Sequence, residues 1–197
     1  MRAARATDPG RVALFGTSAD PPTCGHQALL EGLLLHYPRV VTWASDNPLK
    51  RHHACLELRS ALLAALVAQI NNPRLTQVQQ LSSPFAIETL DRAAELWPGA
   101  ELVFVVGSDL ADQIPRWKQA GEVLRRCRLA IAPRVDQRLE PELLATLEQL
   151  GATVELLAIP VPATASSQLR RAPDPRQIPA AVWTLLRQHK LYGLPHP

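Results

Sequence analysis

The stretch VALFGTSADPPTCGHQALL, residues 12–30, decides the fold. Val12 to Phe15 is a short, continuously apolar run that stops at Gly16, which is the pattern of a buried strand. Pro21 and Pro22 interrupt regular structure, so Thr17 to Cys24 reads as a loop. From Gly25 onward Ala28, Leu29, Leu33 and Leu34 recur at helical spacing. Thr23 or Cys24 precedes them at the capping position, and Thr is the better cap by its chemistry. Strand, loop and helix in that order open an α/β unit. Gly16 leaves room for a phosphate or sugar to approach the backbone. The helix start at Gly25–His26 offers unpaired N–H groups and a positive dipole end, which together suit an anion. His26 in that first turn is placed to donate to a phosphate oxygen, and Thr23 offers a hydroxyl to the same region. The Gly-rich fingerprints of dinucleotide and P-loop sites are both absent.

Working outward, runs at Val40–Ala44, Leu102–Val106, Leu129–Ala132 and Val154–Ile159 read as further strands, and Leu75–Val78 is a candidate for another. Leu56–Ile70, Ile87–Leu96, Ala120–Arg126, Glu140–Leu150 and Pro179–His189 read as helices. Strands and helices therefore alternate, and the strands are continuously apolar rather than alternating. That combination predicts an α/β, Rossmann-like, doubly wound parallel sheet with helices on both faces. Ligands in such sheets bind beyond the carboxyl ends of the strands. The loops after Phe15, Ala44, Val106 and Ile159 are thus where chemistry is expected. Residues 12–197 are expected to form a single domain, with residues 1–11 a flexible polar segment.

The 197 residues are 47% hydrophobic and 20% charged, which marks a globular chain rather than a disordered one. The net charge of +3 comes mostly from Arg and suits an anionic small molecule. The basic residues are scattered, with Arg125, Arg126 and Arg128 the densest group, so nucleic acid is not expected as a partner. Cys24, Cys55 and Cys127 are far apart and odd in number, so neither a disulfide framework nor a zinc site is indicated. The first eleven residues have no apolar core like that of a signal peptide, and no stretch is long and apolar enough to span a bilayer. The expected location is the cytoplasm, without a membrane partner.

Residues 16–26, GTSADPPTCGH, resemble the Gly-Thr-Phe-Asp-Pro-x-His/Thr-x-Gly-His signature of a nucleotidyltransferase superfamily, with one extra residue at Ser18–Ala19. Six further segments, in order, resemble bacterial nicotinate mononucleotide adenylyltransferases. They are Asn47-Pro48-Leu49-Lys50; Ser83 through Leu90; Leu102 through Asp109 followed by Trp117; Ala132-Pro133-Arg134; Ala165 through Arg170; and Ile178-Pro179 closing at Leu191-Tyr192-Gly193. Single segments are weak signals, but the ordered set spans roughly residues 12 to 193. Two departures stand out: Ala165 replaces the usual Ser of the C-terminal motif, and Ser167 replaces its Thr.

The resemblance implies adenylyl transfer from ATP to nicotinate mononucleotide, giving nicotinate adenine dinucleotide and pyrophosphate, a step of NAD biosynthesis. It implies His26, Lys50 and Arg170 as catalytic cations and donors acting on the phosphates. Gly16, Thr17, Thr23, Gly25, Gly107, Asp109, Arg134, Ser166 and Ser167 are implied in binding ATP or phosphate, with the two serines capping the following helix. Arg171 fits the motif's Arg if Ser166 and Ser167 are its two serines; Leu169 as the preceding apolar residue favours Arg170. Trp117 is implied as the surface on which the pyridine ring stacks. Thr89, with backbone N–H groups at the start of the Ile87 helix, is implied to bind the nicotinate carboxylate. Mg²⁺ is implied, held mainly by the ATP phosphates, with no metal site built from the protein. Two rival readings are a pantetheine-phosphate adenylyltransferase, which carries Thr in the place of Thr23, and a non-catalytic nucleotide sensor on the same fold. The choice between nicotinate and nicotinamide mononucleotide, and the oligomeric state, stay open at this level.

Overall fold

The computed structural model describes residues 10–47, 50–133, 139–162 and 164–195. These residues build a parallel sheet of six strands: β1 (Arg11–Thr17), β2 (Arg39–Ala44), β3 (Leu75–Gln77), β4 (Glu101–Gly107), β5 (Arg128–Ala132) and β6 (Thr153–Leu156). Their order across the sheet is β3-β2-β1-β4-β5-β6, and every pairing is parallel. The chain direction across the sheet reverses between β1 and β4, whose carboxyl ends are Thr17 and Gly107. That reversal opens the crevice in which doubly wound sheets bind ligands. Arg11, assigned by sequence to the leading segment, is the first residue of β1 and pairs with Glu101.

The helices are α1 (Cys24–His36), α2 (Leu56–Ile70), α3 (Ala86–Leu96), α4 (Ser108–Ala111), α5 (Ala120–Arg126), α6 (Pro141–Gln149), α7 (Ser166–Arg171) and α8 (Ala180–Gln188). The strands sort their side chains between two cores by simple alternation. Ala13 and Phe15 of β1, Val40 and Ala44 of β2, Val103 and Val105 of β4 face one side. There they meet Leu29, Leu30 and Leu33 of α1, Leu62, Leu63 and Leu66 of α2, Leu169 of α7 and Val182 and Leu186 of α8. Val12, Leu14, Val41, Trp43, Phe104 and Val106 face the other side, against Ile87 and Leu90 of α3, Val123 and Leu124 of α5 and Leu147 of α6. Burial on both faces is why the strands are continuously apolar.

Candidate active site

β1 delivers the chain to the crevice at Thr17, and the loop that follows bends sharply, with Ala19 at φ 50° and a cis peptide between Asp20 and Pro21. Thr23 then caps α1. Its hydroxyl accepts from the His26 backbone N–H, and its own backbone N–H donates to His26 Nδ1 over 3.1 Å, a reciprocal capping box. The acceptor role of Nδ1 puts the hydrogen of a neutral imidazole on Nε2. Thr23 is fully buried, and its hydroxyl also meets Thr164 Oγ1 at 3.0 Å. The Gly25 N–H donates to that same Thr164 hydroxyl at 3.1 Å. The Thr23 hydroxyl and the Gly25 N–H are thus both engaged with Thr164 and support His26, while both residues line the cavity described below. A Cβ on Gly25 would lie 2.6 Å from Thr164 Oγ1, so close packing against Thr164 requires glycine here.

Gly16, which lines the cavity, also has a packing reason beside the one its sequence suggests. A Cβ at this position would meet the indole of Trp43 at 2.7 Å. The absent side chain makes room for the aromatic ring of the neighbouring strand. Gly16→Ala is expected to destabilise the fold by about 1–3 kcal/mol through overpacking, read as a lowered midpoint in urea unfolding.

Asp20 organises the rest of this wall. Only 1% of it is exposed. Its carboxylate accepts from the backbone N–H groups of His53 (2.9 Å) and Ala54 (3.2 Å) and from the Tyr192 hydroxyl (2.6 Å). Arg170 of α7 donates to the Asp20 backbone carbonyl at 2.8 Å and lies 3.8 Å from the carboxylate. Burial pushes the Asp20 carboxyl upward, but the Tyr192, His53 and Ala54 hydrogen bonds and the Arg170 charge outweigh it. The carboxyl is held below its ordinary value. His52 Nδ1 stands 3.9 Å from the same carboxylate, and burial together with the nearby Arg59 charge holds this imidazole below its ordinary value. Arg59, 1% exposed, stitches the loops from within α2. Its guanidinium donates to the carbonyls of Ser18, Ser45 and Ala54.

α7 starts differently from expectation. Ala165 is its N-cap and supplies no side-chain hydrogen bond. Ser166 lies inside the first turn, where its hydroxyl donates to the Pro21 carbonyl at 2.9 Å, and Ser167 is exposed. Ser166 thus ties α7 to the signature loop instead of capping it. Arg170 faces the crevice, whereas Arg171 is exposed.

The opposite wall is aromatic. Trp43, Phe104 and Trp117 form a row of edge-to-face contacts, with centroids 6.4 and 5.8 Å apart. Trp117 is half-buried between this row and the cavity. α3 begins beside it at Ala86, and its N-cap, Phe85, offers no side-chain acceptor to the first turn. Thr89 is 2% exposed, and its hydroxyl donates to the Leu81 carbonyl at 3.0 Å. A carboxylate reaching this wall would therefore meet the start of α3 rather than the Thr89 hydroxyl. Gly107 ends β4, and Asp109 follows in the first turn of α4.

Both walls enclose one cavity of about 1070 Å³. It is lined by Gly16, Thr17, Thr23, Gly25, His26, Lys50, Thr89, Gly107, Asp109, Trp117, Ser166, Ser167 and Arg170, which the sequence had proposed from separate segments. Arg134 lies outside the described residues. Lys50, Arg51, Arg116, Lys118 and Arg170 add cations to the lining, against the carboxylates of Asp20 and Asp109. The balance favours an anionic ligand. Among the described residues, no group of three or more His, Cys, Asp or Glu could hold a metal ion. Among them, too, no helix is long and apolar enough to cross a membrane.

Comparison with known proteins agrees with this geometry. A family model described as cytidylyltransferase-like matches residues 14–172. A relative from Synechocystis sp., described as "Probable nicotinate-nucleotide adenylyltransferase", is 37% identical over 92% of this chain and 98% of its own length. One from Chlorobaculum tepidum with the same description is 34% identical over 93% of this chain and 99% of its own. The fold matches that of a Plasmodium falciparum nicotinic acid mononucleotide adenylyltransferase complexed with NaAD. The TM-score is 0.75 at 17% identity, covering 93% of this chain and 98% of that one. Sequence similarity along almost the whole chain, on a sheet of this order, places the protein in the nicotinate-nucleotide adenylyltransferase family of cytidylyltransferase-like nucleotidyltransferases.

Proposed function

We propose that this chain transfers the adenylyl group of ATP to nicotinate mononucleotide. An oxygen of the mononucleotide 5′-phosphate forms a bond to the α-phosphorus of ATP, the bond from that phosphorus to the β-phosphate oxygen breaks, and pyrophosphate leaves. The observation that carries this reading is a single cavity lined both by the cations and donors His26, Lys50 and Arg170 and by Trp117 with the start of α3, whose N-cap residue makes no side-chain hydrogen bond. Reactions of this kind depend on positioning and charge neutralisation rather than on a protein nucleophile. The Nε2–H of His26 would donate to the phosphates as negative charge shifts toward the leaving group. Arg170, oriented by the Asp20 carbonyl, and Lys50 would neutralise the phosphates. The carboxylate of the pyridine ring would accept from first-turn N–H groups of α3, and the ring would lie against Trp117. Mg²⁺ would enter with the triphosphate, which supplies most of its ligands together with water. The cavity lining, cationic and hydroxyl-bearing with few carboxylates, fits that mode of binding.

The test offers ATP and Mg²⁺ with nicotinate mononucleotide, nicotinamide mononucleotide or phosphopantetheine, and follows pyrophosphate. Release chiefly with nicotinate mononucleotide supports the reading. Release chiefly with phosphopantetheine keeps the fold and overturns the acceptor, and ATP binding without release identifies a sensor. Trp117→Ala is expected to raise KM for the pyridine mononucleotide by about tenfold to a hundredfold, since stacking on an aromatic side chain contributes about 1–3 kcal/mol. KM for ATP should change little, and steady-state kinetics with each substrate varied in turn checks both.

A further inference from the structure

Beside Trp117, the next residue carries a charge that the roles given so far leave unused. Lys118 Nζ sits 4.1 Å from the centroid of the Phe85 ring and 3.9 Å from Glu88 Oε1. Phe85 is the N-cap of α3 and Glu88 is in its first turn, so the ammonium is parked at the start of α3. The supporting contacts are ordered from below. Ser83 donates to Glu88 Oε2 at 2.6 Å and accepts from the Phe85 backbone N–H at 3.2 Å. Lys118, Phe85, Ala86 and Trp117 all line the cavity. Glu88 does not line it, and its 3.9 Å separation from Lys118 is a loose pairing rather than a tight hydrogen bond.

We propose that Lys118 is a specificity determinant for the acceptor: its ammonium is a side-chain anchor for a carboxylate on the pyridine ring, in addition to the backbone at the start of α3. The inference rests on the pyridine nucleotide reading and deepens it. Two independent sources of positive potential converge on one spot, the helix dipole and a cation. A Lys side chain ordinarily loses much rotamer freedom when it is fixed on a ligand. Here the cation–π contact with Phe85 and the attraction of Glu88 hold it near its working position beforehand. An acid form of the ring gains a charge-assisted hydrogen bond from this group, and the neutral amide form gains far less. Lys118 would thereby favour the acid over the amide.

The experiment compares kcat/KM for nicotinate and nicotinamide mononucleotides at saturating ATP in the wild-type chain, Lys118→Gln and Lys118→Arg. The side chain is half exposed, so both variants should fold. In Lys118→Gln the acid-to-amide ratio is expected to fall by about tenfold, carried by KM for the acid, as for loss of one hydrogen bond to a charged group. Lys118→Arg should recover most of the ratio. An unchanged ratio in Lys118→Gln overturns the proposal. A parallel fall for both substrates also overturns it, since Lys118 would then only shape the wall. Wild-type protein that turns over neither pyridine mononucleotide sinks the underlying reading, and this proposal with it.

Discussion

His26→Ala is expected to lower kcat for pyrophosphate release by a factor of about 10²–10³, the usual cost of removing one preorganised donor to developing charge, about 2.7–4 kcal/mol. The size of the effect follows from how the imidazole is held. Its Nδ1 receives the Thr23 backbone N–H, and Thr23 is itself buried and braced by Thr164. The orientation of the ring is therefore fixed before the reaction occurs. The same substitution removes half of a capping box and should cost about 1 kcal/mol of stability. The two losses can be separated with His26→Gln. Gln at this third helical position can restore the reciprocal hydrogen bond to the cap residue, but it lacks the imidazole donor. The thermal midpoint should recover toward wild type while kcat stays low. Rate recovery in His26→Gln, in step with the midpoint, would mean that the histidine matters only for the helix.

The fold was largely legible in the sequence because a doubly wound sheet advertises itself. β1, β4 and β5 are each built on a continuous apolar run, at Val12–Phe15, Leu102–Val106 and Leu129–Ala132, and α2 runs from Leu56 to Ile70 as its Ala- and Leu-rich composition predicts. The run Val154–Ile159 misled at its end. The strand stops at Leu156, while Leu157 and Ile159 stay buried against the face that α1 covers, and Gly32 of α1 leaves room for Ile159. Apolar character there reports packing, not strand. The short α4 escaped notice because four residues carry no period.

The candidate site was legible as a set and less so in its roles. Ordered segments located the residues that line the cavity, but spacing does not reveal which way a hydroxyl turns. Thr23, Ser166 and Thr89 all spend theirs on the protein itself. Arg59 left no signal at all, since Glu57 and Arg59 near the start of a largely apolar helix read as its solvent side. Its three carbonyl partners come from two loops, Ser18 after β1 and Ser45 and Ala54 after β2, that meet only in the folded chain. Asp20 and Tyr192 each stood inside a quoted segment, 172 residues apart, with nothing to say that they touch.

That contact leads to the second large effect. Asp20→Asn is expected to destabilise the chain by about 3 kcal/mol or more, as breaking a buried charged network does. Asn retains one oxygen, but its amide NH₂ must face a donor, because both carboxylate oxygens now accept backbone or hydroxyl hydrogens. Arg170 would lose its charge partner at the same time. The sign with pH follows from the lowered carboxyl. A folded-state value below the ordinary 3.8 stabilises the native chain at any pH above that value. The contribution fades as pH falls below 3.8 and through the depressed folded value. Urea unfolding at pH 7 should therefore show the full difference between wild type and Asp20→Asn, and the gap should narrow as the solution is acidified below pH 4. A gap that is constant with pH would mean that the loss comes from packing and not from the charge. Tyr192→Phe removes one of the hydrogen bonds that hold the carboxyl down, so it should lose a smaller part of the same pH-dependent stability. Because the network also fixes Arg170 through the Asp20 carbonyl, Asp20→Asn should slow adenylyl transfer even where the chain remains folded.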